Sequence, residues 1–181
     1  MVDDNTLIFK LKNPKLKEEG FKELLDLYQE RLYWHIRKIV ITHDNTNDVL
    51  QNTFIRIFKS IDSFKGKSSL HTWMYRIAYN ESLRFIQQNK RYTINSTSDN
   101  TTLDYFTLIS EDPYINANDI QKKLHKIILS LPEKQRHIFQ LKYFDDLSFR
   151  QISEIIKKNE NTIKSSYYSA VKTIEKEIIT L

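Results

Sequence analysis

Aromatic and cationic side chains are interleaved between residues 64 and 80. Aromatic rings stack on unpaired bases and cations hold the backbone, so the combination is typical of a site for single-stranded nucleic acid. The segment is a loop followed by a helical pattern in which Leu70, Trp73, Met74 and Ile77 share one face, so we expect Trp73 to be core. The candidates in the loop and off that face are Lys65, Gly66, Lys67, Ser68, Tyr75, Arg76, Tyr79 and Asn80.

A second candidate nucleic-acid site lies in the last 35 residues. A helix over 148–157, a short break and a helix over 159–179 form a helix-turn-helix pattern. On the last helix, lysines can reach phosphates, while Asn and Ser can hydrogen-bond base edges in a major groove. An ordinary amphipathic helix would have the same polar face, so both interpretations stay open here. That face carries Asn161, Lys164, Ser165, Tyr168 and Lys172.

No set of residues supports catalysis. The sequence has no cysteine, no Gly-x-Ser-x-Gly and no pair of histidines four residues apart. Asp145 and Asp146 could act as paired carboxylates, but their place between two helices predicts a solvated turn. We therefore expect no enzyme activity, no metal and no cofactor.

The charge is divided along the chain. The 181 residues carry a net charge of +5, yet residues 92–119 hold five acidic and no basic side chains, and each flanking block has a net charge of +5. Basic blocks favour a polyanionic partner. With two glycines and three prolines, the composition disfavours a sheet-rich fold or a phosphate-binding glycine loop. No apolar run could span a bilayer and no signal peptide is visible, so we expect a cytoplasmic protein without membrane insertion.

Every predicted element is a helix. The N-terminal block has apolar residues at helical spacing over 16–41, a second helix capped by Asp44 or Asn45, and a third over 70–91 capped by Ser68 or Ser69. Thr, Asn, Ser and Asp dominate the stretch that follows, and this composition predicts an acidic flexible linker. The predicted domains are residues 1–91 and 120–181, with the linker at 92–119.

The C-terminal block shows four helices. They cover 119–130, 132–143, 148–157 and about 160–181. Pro132 suits a first helical position, Ser148 and Gln151 form a capping box, and Asn159 is the expected cap of the last helix.

Both blocks resemble the bacterial sigma-70 family, in its short extracytoplasmic-function (ECF) type. The N-terminal resemblance rests on Asp-Val-Leu-Gln-Asn-Thr-Phe at 48–54, Phe-Lys-Gly-Lys-Ser at 64–68 and Thr-Trp-Met-Tyr-Arg-Ile-Ala-Tyr-Asn at 72–80. The C-terminal resemblance rests on Leu-Pro at 131–132 with Arg136, Leu-Lys-Tyr at 141–143, Leu-Ser-Phe at 147–149 and Asn-Thr-Ile-Lys-Ser at 161–165. The order and spacing agree in both blocks.

The resemblance implies an all-α sigma factor that binds core RNA polymerase and directs promoter-specific initiation, including melting of the minus-ten element. The helix around 47–60 would contact the clamp helices of the beta-prime subunit, and the beta subunit is a further expected partner. The linker would enter the polymerase toward the active site and the RNA exit channel. The implied polymerase contacts are Asp48, Leu50, Gln51, Asn52 and Phe54.

The resemblance also assigns promoter DNA to both candidate sites. The minus-ten contacts would be Phe64, Lys65, Gly66, Lys67, Ser68, Tyr75, Arg76, Tyr79, Asn80 and Arg84. The minus-thirty-five contacts would be Asn161, Thr162, Lys164, Ser165, Tyr168 and Lys172.

Four residues depart from the family pattern. Arg84 stands where the family usually has an acid or amide, Gln87 where it has arginine, Gln151 where it has glutamate, and Ser169 where it has arginine. These changes predict altered promoter readout beside an intact docking motif. The explanation is either a shifted consensus or placement of the polymerase by a DNA-bound recruiting protein, and an anti-sigma factor is a further potential partner.

Two other functions compete with the sigma interpretation. One is a helix-turn-helix regulator that does not bind core polymerase, and the motif at 48–54 discriminates against it. The other is a helical enzyme or an adaptor that binds proteins alone, which would show no salt-dependent DNA affinity.

Overall fold

The computed structural model describes residues 4–93 and 119–179 of the chain. Within these two stretches every regular element is a helix and no strand occurs. The chain divides into two compact units, one on each side of the boundary between residues 94 and 95. The prediction of an all-α protein with two small helical domains is confirmed. The predicted linker, apart from its first two residues and its last one, lies outside the described residues.

The described part of the first unit, residues 4–93, contains four α-helices and one turn of 3₁₀ helix. They are α1 (Asp4–Lys12), α2 (Lys17–Val40), α3 (His43–Ser60), the 3₁₀ turn (Ile61–Ser63) and α4 (Leu70–Thr93). Helices α2, α3 and α4 pack against one another, and α1 lies against α2 and the 3₁₀ turn. Their shared core combines aliphatic and aromatic side chains, and burying each large apolar side chain contributes about 1.5–3 kcal/mol. Its fully buried members include Leu24, Leu32, Ile36, Ile57 and Met74.

Helix α1 was not predicted from the sequence. Only Leu7 and Leu11 of its nine residues are buried, one turn apart, which is too short a pattern for periodicity to reveal. It crosses α2 at Gly20, where a Cβ atom would lie 2.8 Å from Cβ of Lys10. The absence of a side chain at Gly20 is what allows the two helices to approach this closely.

Two helices of the first unit begin at hydroxyl caps. The N-cap of α3 is Thr42, whose Oγ1 accepts a hydrogen bond from the Asn45 backbone N–H at 3.4 Å. The prediction of Asp44 or Asn45 as this cap is therefore wrong by two or three residues. At α4, Ser69 Oγ accepts from the Thr72 backbone N–H at 3.1 Å, in agreement with one of the two caps predicted there.

The second unit has four described helices. They are α5 (Asp119–Ser130), α6 (Glu133–Tyr143), α7 (Phe149–Ile156) and α8 (Glu160–Ile179). Helix α8 packs against each of the other three. Its core contains Ile127, Ile128, Leu131, Phe139, Ala170 and Ile174.

The turns of the second unit follow the predicted capping chemistry. Ser148 and Gln151 form the capping box of α7. The C-cap of α7 is Lys157, which adopts the left-handed conformation with φ 58°. Asn159 Oδ1 accepts from the Asn161 backbone N–H at 2.8 Å and so caps α8. Pro132 is the N-cap of α6 and not its first helical residue, a shift of one position.

None of the helices in the described stretches is long and apolar enough to cross a bilayer.

Candidate polymerase-docking and nucleic-acid surfaces

Helix α3 presents a polar row to solvent. Asp48, Gln51 and Asn52 are all exposed, one helical turn apart or adjacent. Leu50 and Phe54 are each only 8% exposed, and the Phe54 ring meets Phe21 of α2 edge to face. These two apolar side chains therefore belong to the core and support the exposed row from inside. Their role as direct polymerase contacts stays a prediction, and the structure shows that little of either side chain is accessible.

An acidic cleft continues this row onto α2. Asp26 and Glu30 are exposed on α2, and they line an open cleft together with Leu25, Tyr33, Asn47 and Leu50. The cleft combines carboxylates with apolar and amide groups, which suits a basic helical partner. Sequence reasoning missed Asp26 and Glu30, although two acids four residues apart on one helix were a visible signal.

The loop after the 3₁₀ turn is anchored at Phe64. The Phe64 side chain is 4% exposed and packs against Trp73, with the ring centroids 5.2 Å apart. Beyond it, Lys65, Gly66 and Lys67 are exposed, and Gly66 has φ 67°, a conformation that favours glycine. Phe64 thus anchors the loop in the core and is not an exposed contact, while the two lysines present their charges to solvent.

The prediction that Tyr75 and Tyr79 lie off the core face of α4 is wrong. Tyr75 is 3% exposed and Tyr79 is 7% exposed. The Tyr75 ring lies between the rings of His35 and His71, at centroid distances of 4.7 and 4.2 Å. Helix α4 buries a wider face than its aliphatic stripe indicates because aromatic side chains reach around the helix.

Three of the predicted residues on α4 remain accessible. Asn80 and Arg84 are exposed and Arg76 is half-buried. The predicted constellation therefore reduces to the loop lysines with Gly66 and Ser68, and to these three polar side chains.

Arg84 belongs to a cationic cleft between α3 and α4. Glu81 is 8% exposed, and its Oε1 accepts from Nε of Arg56 at 2.8 Å, while its Oε2 lies 3.9 Å from a guanidinium nitrogen of Arg84. Lys59 lines the same cleft. The lining of this cleft holds three cations and one carboxylate, so its charge balance is positive. Sequence reasoning singled out Arg84 alone, because nothing in the sequence pairs α3 with α4 at this register.

The helix-turn-helix shows the predicted division of α8 into two faces. Ile163, Ala170 and Ile174 are buried, whereas the opposite face is exposed apart from one half-buried lysine. That lysine is Lys164, whose Nζ lies 2.8 Å from Glu160 and 5.9 Å from the ring centroid of Phe149. The exposed members are Asn161, Thr162, Ser165, Tyr168 and Lys172.

Two of the departures from the family pattern have local structural roles. Gln151 Oε1 accepts from the Ser148 backbone N–H at 2.9 Å, so the amide completes the capping box without a negative charge. Ser169 Oγ accepts from Nε2 of Gln135 at 3.4 Å, a contact between α8 and α6. Neither residue presents a charge to a ligand.

Comparison with protein families accounts for both units. The Sigma-70 region 2 family matches residues 24–92, and the Sigma-70, region 4 family matches residues 121–174. The first match spans the exposed row of α3 and the anchored loop, and the second spans the helix-turn-helix. The chain belongs to the sigma-70 family of RNA polymerase sigma factors.

Curated relatives define the type within that family. The chain is 28% identical over 172 residues to the ECF RNA polymerase sigma factor SigW of Bacillus subtilis, a match covering 89% of this chain and 90% of the relative. It is 26% identical over 168 residues to the ECF RNA polymerase sigma-E factor of Escherichia coli, covering 89% and 87%. The chain is an ECF-type sigma factor, which binds core RNA polymerase and directs promoter-specific transcription initiation.

Two solved structures share the fold. One is the sigma factor RpoE of Bartonella quintana, crystallised with the anti-sigma factor NepR; it has a TM-score of 0.73 at 21% identity, covering 88% of this chain and 97% of that one. The other is CnrH in complex with the cytosolic domain of CnrY, with a TM-score of 0.70 at 14% identity, covering 98% and 97%.

Proposed function

We propose that the two units divide promoter recognition between them. Residues 1–91 dock on the beta-prime clamp helices and open the minus-ten element, and residues 120–181 bind the minus-thirty-five element. The acidic stretch 92–119 follows the basic path that RNA later occupies. The observation that carries this proposal is the exposed row Asp48, Gln51 and Asn52 on α3, held on a buried apolar face within the region 2 match.

The electrostatics of the first unit support distinct surfaces for protein and DNA. The α3 row and the adjoining Asp26 and Glu30 are acidic and polar, which suits a partner helix with a basic surface. Lys65 and Lys67 in the loop are cationic, as a DNA strand requires. Asn80 and Arg84 on α4 are the exposed groups that can hydrogen-bond an unstacked base.

The chain acts as a transcription regulator and catalyses nothing itself. The polymerase carries the chemistry, and the sigma factor supplies position and strand separation through binding. Because bacterial polymerase works on the chromosome, the proposed location is the cytoplasm. The structural neighbours RpoE and CnrH were solved with NepR and CnrY, which supports an anti-sigma partner for this chain as well.

The direct test is capture of core polymerase by the purified full-length chain, followed by transcription from a randomised promoter library. We expect stoichiometric binding of core polymerase and enrichment of templates with two separated motifs. A helix-turn-helix regulator that does not bind core polymerase would give neither result.

The same library resolves the consequence of Arg84 and Ser169. A shifted consensus predicts strong transcription from a defined two-part motif with core polymerase and this chain alone. Weak, diffuse output that rises only when a DNA-bound recruiting protein is added would favour recruitment. Each lost base or phosphate contact costs about 1–3 kcal/mol.

Lys172 is expected to contribute sequence-independent DNA affinity. It is exposed on the polar face of α8, so it can neutralise one phosphate and release its counterion. Lys172→Ala should lower the slope of log affinity against log salt by about one for holoenzyme on promoter DNA. Lys134→Ala removes an exposed lysine from α6 and is the matched control, which should leave the slope unchanged. Equal slopes for wild type and Lys172→Ala would remove Lys172 from the interface.

Lys164 should behave differently from Lys172. Its ammonium is already paired with Glu160 and lies over Phe149. Its replacement should therefore change the salt slope by less than that of Lys172, because part of its charge is neutralised within the protein.

A further inference from the structure

The N-terminal helix α1 contacts Phe64, the first residue of the loop at 64–68, although α1 lies outside the region 2 match, which begins at residue 24. Nζ of Lys12, the last residue of α1, donates a hydrogen bond to the backbone oxygen of Phe64 at 2.5 Å. The same ammonium lies 5.8 Å from the centroid of the Phe64 ring. One lysine thus holds both the backbone and the side chain of the residue at which the loop begins.

Two further contacts fix Phe64 at the start of the loop. Its backbone N–H donates to Ile61 at 3.0 Å, and its ring packs on Trp73. These two contacts come from the region that the family match covers. The third contact, to Lys12, fixes the carbonyl group of the peptide that leads into Lys65, Gly66 and Lys67.

A second contact joins the start of α2 to the 3₁₀ turn. Nζ of Lys17 lies 2.8 Å from Oδ2 of Asp62 and 4.9 Å from the ring centroid of Phe58. Exposed ion pairs of this kind contribute little alone. The Lys17 and Lys12 contacts together connect the N-terminal segment to the 3₁₀ turn and to Phe64 at the start of the loop.

The packing of α1 makes it a rigid support. Leu7 and Leu11 are buried against α2, and Lys10 bridges Glu19 at 2.8 Å and Glu23 at 2.5 Å. Gly20 permits the close crossing of the two helices. A helix held in this way fixes the backbone of Lys12 within reach of Phe64, and the hydrogen bond to the Phe64 oxygen then places its ammonium.

We infer that Lys12 is a positioning residue for promoter opening: it fixes the Phe64 carbonyl, and through it the direction in which Lys65 and Lys67 leave the core. The inference rests on the proposed role of the loop in holding the opened minus-ten strand. Lys12 itself does not need to touch DNA, because its donor is directed at the loop backbone.

The test has one measurement without DNA and one with it. In the free full-length protein, Lys12→Met should increase hydrogen exchange at the Phe64 amide by about fivefold, because its hydrogen bond to the Ile61 oxygen opens more often. Lys12→Arg keeps a donor of similar reach and should restore slow exchange. Lys15→Met removes a neighbouring exposed lysine whose side chain makes no hydrogen bond or ion pair with a described residue, and should have no effect.

With holoenzyme on a promoter selected from the library, Lys12→Met should reduce permanganate reactivity of melted thymines, while affinity for core polymerase stays at the wild-type value. Lys67→Ala is the reference variant for the loop itself. If Lys12→Met proves unstable, Lys17→Met tests the same support at its second contact.

The outcomes separate the inference from the proposal beneath it. Unchanged exchange in Lys12→Met overturns the inference even if melting falls, since Lys12 would then act on DNA directly. Faster exchange in Lys12→Met with normal promoter opening also overturns it, provided that Lys67→Ala opens the promoter poorly. Normal promoter opening by Lys67→Ala refutes the role of the loop, and the inference fails with it.

Discussion

Asp48→Ala combined with Gln51→Ala should weaken binding of core RNA polymerase by at least about 2 kcal/mol, or roughly thirtyfold. Both side chains are exposed on α3, and the residues beneath them, Leu50 and Phe54, are buried. The substitutions therefore remove polar anchors without opening the core. Polymerase affinity is measured by titration of labelled full-length protein, and helicity by circular dichroism, which should not change.

The matched control removes one exposed acid and one exposed amide at other places in the same unit. Glu18→Ala combined with Asn5→Ala makes the same change of net charge on α2 and α1. Glu18 lies one turn before Phe21, whose ring contacts Phe58 near the C-terminal end of α3. The control therefore alters the unit about two to three helical turns away from Asp48 and Gln51 along α3. This variant should bind core polymerase with wild-type affinity. Equal affinities for both double variants would contradict the docking assignment.

We expect the acidic cleft to make a second, smaller contribution to the proposed docking surface. Asp26 and Glu30 lie beside the α3 row on the neighbouring helix, so they would extend the negative surface toward the same partner. Charges at the edge of an interface change the association rate and its salt dependence more than the dissociation rate. The central pair on α3 should instead act on the dissociation rate.

The helices could be predicted from the sequence wherever apolar periodicity was long. Helices α2, α4 and α5 begin within about one residue of the predicted positions, because long apolar stripes defined them and Ser69 caps α4. Helix α1 was missed since two leucines in nine residues carry no periodic signal, and its stability comes from packing on α2 at Gly20. A helix this short is stabilised by tertiary contacts, which a sequence does not display.

The candidate sites were predicted more accurately on α8 than on α4. On α8 a regular helix with an aliphatic inner face defines its polar face directly. On α4 the core extends through Tyr75 and Tyr79. Tyr75 packs against His35 of α2 and His71 of α4, and periodicity of aliphatic residues does not reveal such an aromatic layer. The cleft of Arg56, Glu81 and Arg84 depends on the register of α3 against α4, which is a property of packing.

Lys67→Ala combined with Asn80→Ala should reduce formation of the open promoter complex more than initial binding. Lys67 is exposed in the loop and Asn80 on α4, and neither contributes to the core. Contacts to an unstacked base and its backbone are worth about 1–3 kcal/mol, and duplex DNA does not offer them before strand separation. Permanganate reactivity of promoter thymines should therefore fall by about tenfold, while binding to duplex promoter at a temperature that prevents melting stays close to wild type.

The control for this variant is Lys22→Ala combined with Asn5→Ala, which removes an exposed lysine and an exposed asparagine from α2 and α1. It should melt the promoter normally. A defect shared by both variants would point to general loss of charge, since each removes one lysine. Normal promoter opening by Lys67→Ala with Asn80→Ala would leave the loop a structural role only. Strand opening would then have to depend on the cationic cleft around Arg84, which Arg56 and Lys59 also line.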